Sequence, residues 1–217
     1  MPFFSYDSKF SQILLRLCKS CCLNLLWFIC SIPIVTIGAS TTALYYVSFK
    51  IVKDEDNSLT RLFFRAFREN FRQATVLWLI LLAVGALLAG DGYLLYRLCT
   101  HSSGRDAMIF TLMAAFVIAA AVVYVIVLLY VFPLTASVSN TNFAMLKNSF
   151  LIGIRYLFCT IVVFAIHFAM FFVVVAFFTP LILFGEGLCA LLSAYLLSNV
   201  IRLCSYDPDA EEGGDSV

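Results

Sequence analysis

Residues 74–95 read ATVLWLILLAVGALLAGDGYLL, with one charged side chain, Asp91, in the whole stretch. A helix needs about 20 mostly apolar residues to cross the hydrocarbon of a bilayer, and this run supplies them. It lacks the alternating polarity of a membrane-barrel strand. In lipid the backbone groups must be bonded within the segment itself, so the run predicts a transmembrane helix. Working outward, Met108–Phe132, Tyr156–Thr179 and Leu181–Leu203 satisfy the same test, the last interrupted near its start by Gly185-Glu186-Gly187. A fifth run, Cys22–Phe49, is apolar but carries Pro33 and Gly38. The expected fold is all-α: a polytopic transmembrane helical bundle of about five spans, with residues 1–204 as one integral membrane domain.

Composition agrees. Of 217 residues, 63% are apolar and 12% charged, against about 45–50% and about 25% in soluble domains; mean hydropathy is +0.99. A soluble domain cannot cover its surface with so few charges. This excludes a water-soluble globular enzyme, a secreted disulfide scaffold and a nucleic-acid binder with a basic face. The charges are also segregated. Ten of the 27 fall within residues 50–72, and five acidic ones follow Tyr206. The segment 205–217 is therefore expected to be an acidic, disordered tail.

Lys and Arg near helix ends set orientation. Residues 50–73 carry six of them, so this loop is expected to be cytoplasmic. One crossing through Cys22–Phe49 then puts the N-terminus outside, with nine of the 14 basic residues inside, and the tail inside as well. The alternative is a re-entrant segment that turns at Ser31-Ile32-Pro33, which places twelve inside. Against it, Cys22–Ser31 gives only about 15 Å of helix. The five-crossing arrangement is the working expectation. The N-terminal apolar run is longer than a cleaved signal peptide's and ends in no clean cleavage site.

The segment 58–73 has two faces. Arg61, Arg65, Arg68 and Arg72 fall within about 60° on a helical wheel, and Phe63, Phe64, Phe67 and Phe71 within about 100°, centred about 115° away. Asp54, Glu55 and Asp56 precede it, where a helix dipole favours acids, and Asp56, Asn57 or Ser58 can serve as N-cap. This predicts an amphipathic helix on the cytoplasmic membrane surface, with rings in the acyl boundary and guanidinium groups among anionic headgroups. It is either an elbow into the next crossing or a docking helix for a partner.

Pro33 removes a backbone donor, while Gly38, Ala39 and Ser40 allow close helix approach. A kink with a tight packing face is expected there, with a ligand-lining role as the sharper alternative. Few ionisable groups fall within the spans. Asp91 sits near the outer end of its helix, Glu186 in an outer turn, and His167 near mid-span. His167 reads most simply as a neutral imidazole bonded to a neighbouring helix, and otherwise as part of a relay. The eight cysteines include Cys18, Cys21 and Cys22, but no second pair completes a zinc pattern. Paired carboxylates, phosphate loops and nucleophile elbows are absent from the sequence pattern. No catalytic residue, cofactor or metal site is expected.

The run Cys30-Ser31-Ile32-Pro33-Ile34-Val35-Thr36-Ile37-Gly38-Ala39-Ser40, then Thr42 to Val47, resembles the N-terminal signature of the YesL family, small bacterial integral membrane proteins of unknown biochemical function. The likeness continues through Lys53-Asp54-Glu55-Asp56 and Phe63 to Ala74, the block that holds Asn70, and covers about residues 22–82. The C-terminal half carries no matching motif. The resemblance implies a Gram-positive-type plasma membrane and a setting of polysaccharide breakdown, beside sugar-binding proteins and ABC permeases. It supplies no reaction.

Three functions are compared. The first, which the resemblance supports, is a non-enzymatic accessory protein of carbohydrate uptake, with the bilayer and ABC sugar permease subunits as partners and the helix over 58–73 as contact surface. The alternative is a small-solute permease acting as an oligomer, with Trp27, Tyr45, Tyr46, Trp78, Tyr93 and Tyr96 as sugar platforms and Asp91 as a polar group. A membrane-embedded enzyme is the third, and the scarcity of ionisable residues in the spans argues against it.

Overall fold

The computed structural model describes residues 9–55, 58–101, 104–176 and 182–205. Seven α-helices account for nearly all of them: α1 Lys9–Ser31, α2 Ile37–Val52, α3 Leu59–His101, α4 Arg105–Ser137, α5 Asn142–Arg155, α6 Leu157–Ala176 and α7 Ile182–Ser205. There is no strand among the described residues. Helices α1, α3, α4 and α6 are long and apolar enough to cross a membrane, and α7 holds a shorter apolar stretch, Gly185–Ile201. The all-α membrane bundle expected from the sequence is the fold observed. The acidic tail expected over 205–217 falls, from Tyr206 on, outside the described residues.

The run Cys22–Phe49 is not one kinked crossing. Helix α1 ends at Ser31, two residues before Pro33, because the residue preceding a proline is driven out of the helical region. Pro33 itself is extended (φ −74°, ψ 119°), and a short 3-10 turn, Ile34–Thr36, starts the chain back. The Thr36 hydroxyl lies within bonding distance of the Cys30 carbonyl (2.6 Å), which α1 leaves open at its end, and of the Pro33 carbonyl in the turn (2.8 Å). Helix α2 then returns along α1. Trp27 Nε1 donates to Thr41 Oγ1 (3.1 Å) near the turn, and Arg16 reaches Asp54 at the far end. The start of α1 and the loop after α2 therefore share one end of the bundle. Helix α1 starts well before Cys22, and its 23 residues are about 34 Å long, which removes the length objection to a turn at Ser31.

Helix α2 is the centre of the molecule. Eleven of its residues are buried, from Gly38 to Ile51, and it packs against α1, α3, α4 and α7. Gly38 is where three helices close up: a Cβ there would stand 2.5 Å from the Ala74 carbonyl oxygen, 2.6 Å from Trp78 Cβ and 3.2 Å from Phe132. Two hydroxyls of α2 are spent on its own backbone, Thr42 on the Gly38 carbonyl (2.9 Å) and Ser48 on that of Leu44 (2.8 Å).

Helix α3 runs antiparallel to α2, and Trp78 Nε1 donates to the Ile34 carbonyl (2.8 Å) at the level of the turn. It is one helix of 43 residues, about 64 Å long. The segment 58–73 is thus not a separate surface helix but the first part of the same rod. Nothing there ends a helix: no Pro or Gly occurs before Gly85, and Arg65–Glu69 adds an (i, i+4) ion pair. Beyond Trp78, α3 pairs with α4, where Gly85 lies against Tyr124. This arm turns Leu87, Tyr96 and Phe116 outward, as lipid-facing helices do.

Helix α5 folds back on α4, with Gly153 against Ile126 and Tyr130. The chain breaks at Tyr156 (φ −112°, ψ 51°) before α6. Helices α6 and α7 are antiparallel, with Gly185 against Met170. Residues 185–187 lie within α7 rather than in an outer turn. The Gly187 N–H donates to Asn24 Oδ1 of α1 (2.6 Å), and a Cβ at Gly187 would meet the Ser20 carbonyl at 2.6 Å. Close approach to α1 explains the glycine.

Gly38→Leu should destabilise the protein by about 1–3 kcal/mol or more through overpacking, whereas Gly90→Ala, with open space around the new methyl, should leave it unchanged or slightly more stable. Thermal unfolding in detergent, followed by loss of monodispersity, checks both.

Candidate functional site

The residues singled out in the sequence lie in two places. The first is the end of the bundle shared by α1, α2 and α3. Arg61, Arg65, Arg68 and Arg72 are all exposed along one face of α3. The phenylalanine face looks elsewhere than expected. Phe63 and Ala66 are fully buried, and Phe63 belongs to the core around α2. Phe67 stacks on Phe63 (6.4 Å, 18°), Phe64 meets it edge-on (5.7 Å) and Phe71 continues the row (5.5 Å from Phe67). Phe64 and Phe71 keep 48% and 39% exposure. The correction is that the stripe is anchored on the protein first, and only its flank reaches the surroundings, because α2 offers a packed apolar surface where the wheel shows only an apolar sector.

This anchoring fixes the arginines. Asn70 donates to the Ala66 carbonyl (3.0 Å) of its own helix, and Gln73 to the Asn140 carbonyl (2.6 Å) beyond α4. Among the described residues, Arg65 is the one arginine of the four with an ion pair, to Glu69 at 2.9 Å. The acidic residues before α3 serve other cations. Asp54 accepts two bonds from Arg16 (2.9 and 3.0 Å) and holds a left-handed backbone, φ 55°. Arg16 also bonds the Tyr195 hydroxyl and lies over that ring. Glu55 bonds Lys50 at 2.5 Å, and that ammonium holds its carboxyl below the usual carboxylate range. Of the N-cap candidates, Ser58 accepts the Leu62 N–H through its backbone carbonyl; Asp56 and Asn57 lie outside the described residues.

The second place is inside the bundle. His167 Nδ1 is 2.9 Å from the Val163 carbonyl one turn earlier. A carbonyl only accepts, so the Nδ1–H donates to it. Nε2 faces the Tyr45 hydroxyl of α2 at 3.4 Å. Glu186 and Cys189 of α7 line a cavity of about 210 Å³ with His167, Trp27 and Met170. Sequence reasoning missed that Glu186 lines the same cavity as His167, since Gly185 and Gly187 made the carboxylate look like part of a loop. Asp91 stays apart: it is exposed on α3, at the edge of an apolar cavity of about 520 Å³ shared with α4. Pro33 and Gly38 serve the turn and the packing described above and line neither of these cavities. No three His, Cys, Asp or Glu side chains converge on a metal-sized site among the described residues.

A family model described as a protein of unknown function, DUF624, matches residues 21–91, about a third of the chain. The matched segment runs from α1 through the hairpin and α2 about three-quarters of the way along α3, so it includes Pro33, Gly38 and the whole arginine face. No curated protein and no solved structure gave a match.

Replacing His167 with leucine should remove one partner of the Tyr45 hydroxyl and cost about 1 kcal/mol. Tyr45→Phe in the same chain should recover part of that loss. A double-mutant cycle on thermal unfolding in detergent checks the coupling, and strict additivity would show that the pair does not interact.

Proposed function

We propose that this protein is a non-enzymatic accessory component of a bacterial plasma membrane that docks a membrane partner through the arginine face of α3, in the context of carbohydrate import. One observation carries the docking part: four arginines are displayed on a helix whose opposite side is locked into the core by Phe63 and Ala66. A helix lying flat on lipid has no need of such anchoring, whereas a recognition surface gains from being rigid, since less order has to be imposed on binding.

The chemistry of the face selects the partner. Guanidinium groups favour carboxylates, which they bind through paired hydrogen bonds, so the contact surface is expected to be acidic. The start of α1, the residues 53–55 and the base of α3 share one end of the bundle, and the positive-inside rule assigns that end to the cytoplasm. The partner surface is then the cytoplasmic side of a membrane protein. The resemblance to YesL proteins points to the permease subunits of an ABC sugar importer.

Affinity purification of tagged protein from native membranes in mild detergent tests this reading. The wild type should retain a permease subunit, with retention falling as salt is raised. Replacing all four arginines with glutamine should deplete that subunit at least about tenfold, at roughly 1 kcal/mol or less per exposed charge, while the variant still inserts. Retrieval of no permease subunit, or equal retrieval by the variant, would overturn it.

A further inference from the structure

We propose that the cavity between the ends of α2, α4 and α7 binds the headgroup of an anionic phospholipid from the inner leaflet. The cavity encloses about 570 Å³, and Lys50, Lys53, Tyr46, Asn199, Ser137 and Ser198 are its polar lining residues. Phe49 and Ile201 are among the apolar ones. It lies beside the ion-paired loop 53–55, at the end of the bundle assigned above to the cytoplasm.

The hydrogen-bonding inventory suits a phosphodiester with hydroxyls beyond it. The Lys50 and Lys53 ammonium groups, the Tyr46 hydroxyl and the Asn199 amide can all donate. The Ser137 and Ser198 hydroxyls lie within bonding distance of the Pro133 carbonyl (3.0 Å) and the Tyr195 carbonyl (3.1 Å). Each therefore commits its proton to its own helix and turns lone pairs outward, suited to glycerol hydroxyls. The charge count agrees. Glu55 is bonded to Lys50, and Asp54 is committed to Arg16. The two lysines and Glu55 leave one net positive charge, which matches the single negative charge of a phosphodiester.

The apolar lining decides between sources. A soluble phosphate ester would use the lysines and leave Phe49 and Ile201 facing water. A lipid uses both kinds of lining, with phosphate on the lysines and the first methylenes of its chains against the apolar residues. Basic pockets between helices on the cytoplasmic side of membrane proteins commonly take anionic headgroups. The assignment uses neither the arginine face nor any permease, so its test stands apart from the docking reading.

Protein reconstituted in nanodiscs of equal phosphatidylglycerol and phosphatidylcholine, then released into mild detergent, can be assayed for bound lipid by native mass spectrometry. The wild type should retain phosphatidylglycerol selectively. Lys50→Gln with Lys53→Gln should lower that retention about tenfold or more. Glu55→Gln removes the competing carboxylate and should raise it, which keeps the proposal testable if the double variant folds poorly. Arg97→Gln, at the opposite end of α3 from the cavity, should change nothing. Equal retention of both lipids, or no response to either set of variants, would overturn the proposal. So would displacement of the lipid by millimolar glycerol 3-phosphate, which would assign the cavity to a soluble ester.

Discussion

The chain reversal at Pro33 is the constraint on which the other contacts depend. Proline ends α1 by pushing Ile32 out of the helical region, and Thr36 closes the gap by serving the Cys30 carbonyl. Because the chain turns there, α1 is laid back along α2. Arg16 can then reach Asp54 and Tyr195, and Asn24 can reach the Gly187 N–H of α7. Without the reversal, α7 would lose the surface on which it packs most extensively, and α2 would be open on one side.

With α2 enclosed, packing follows the physics of helices in lipid. Apolar surface gains little by moving from lipid to protein, so association relies on close contact and on hydrogen bonds between helices. Gly38 admits the α3 backbone at Ala74. Gly153 and Gly187 do the same for α4 side chains and the α1 backbone. The Tyr130 and Thr160 hydroxyls bond across α4 and α6 at 2.9 Å. Thr42, Ser48 and Thr135 in the interior serve their own helix. His167 instead has one nitrogen for its own helix and one for its neighbour, which makes it the place where α2 and α6 meet through a titratable group.

How much of this the sequence discloses depends on whether the deciding contact is local. Span length and apolarity are local, and the all-α membrane class follows from them. The angle between the arginine and phenylalanine stripes of α3 is local too, and its geometry is as the wheel gives it. What covers the phenylalanines is not local, since a wheel cannot distinguish lipid from the flank of another helix. Pro33 marks a disturbance without telling a kink from a reversal, because the difference lies in Gly38 fitting against α3 and in Arg16 finding Asp54. Glu186 is hidden for a similar reason. Its flanking glycines look like a loop until Asn24, 163 positions away in the chain, occupies the Gly187 N–H.

The functional reading rests on the same reversal, since it brings Arg16, the residues 53–55 and the arginine face of α3 to one end of the molecule. The distance between the start of α1 and the loop after α2 tests it most directly. Spin labels at Gln12→Cys and Lys53→Cys, in a chain whose eight native cysteines are replaced, can be measured by pulsed dipolar spectroscopy in nanodiscs. The hairpin predicts a short separation, below about 25 Å, in keeping with the Arg16–Asp54 contact. A single continuous crossing would separate the labels by about 60 Å, at 1.5 Å per residue, and a distance in that range would contradict the fold described.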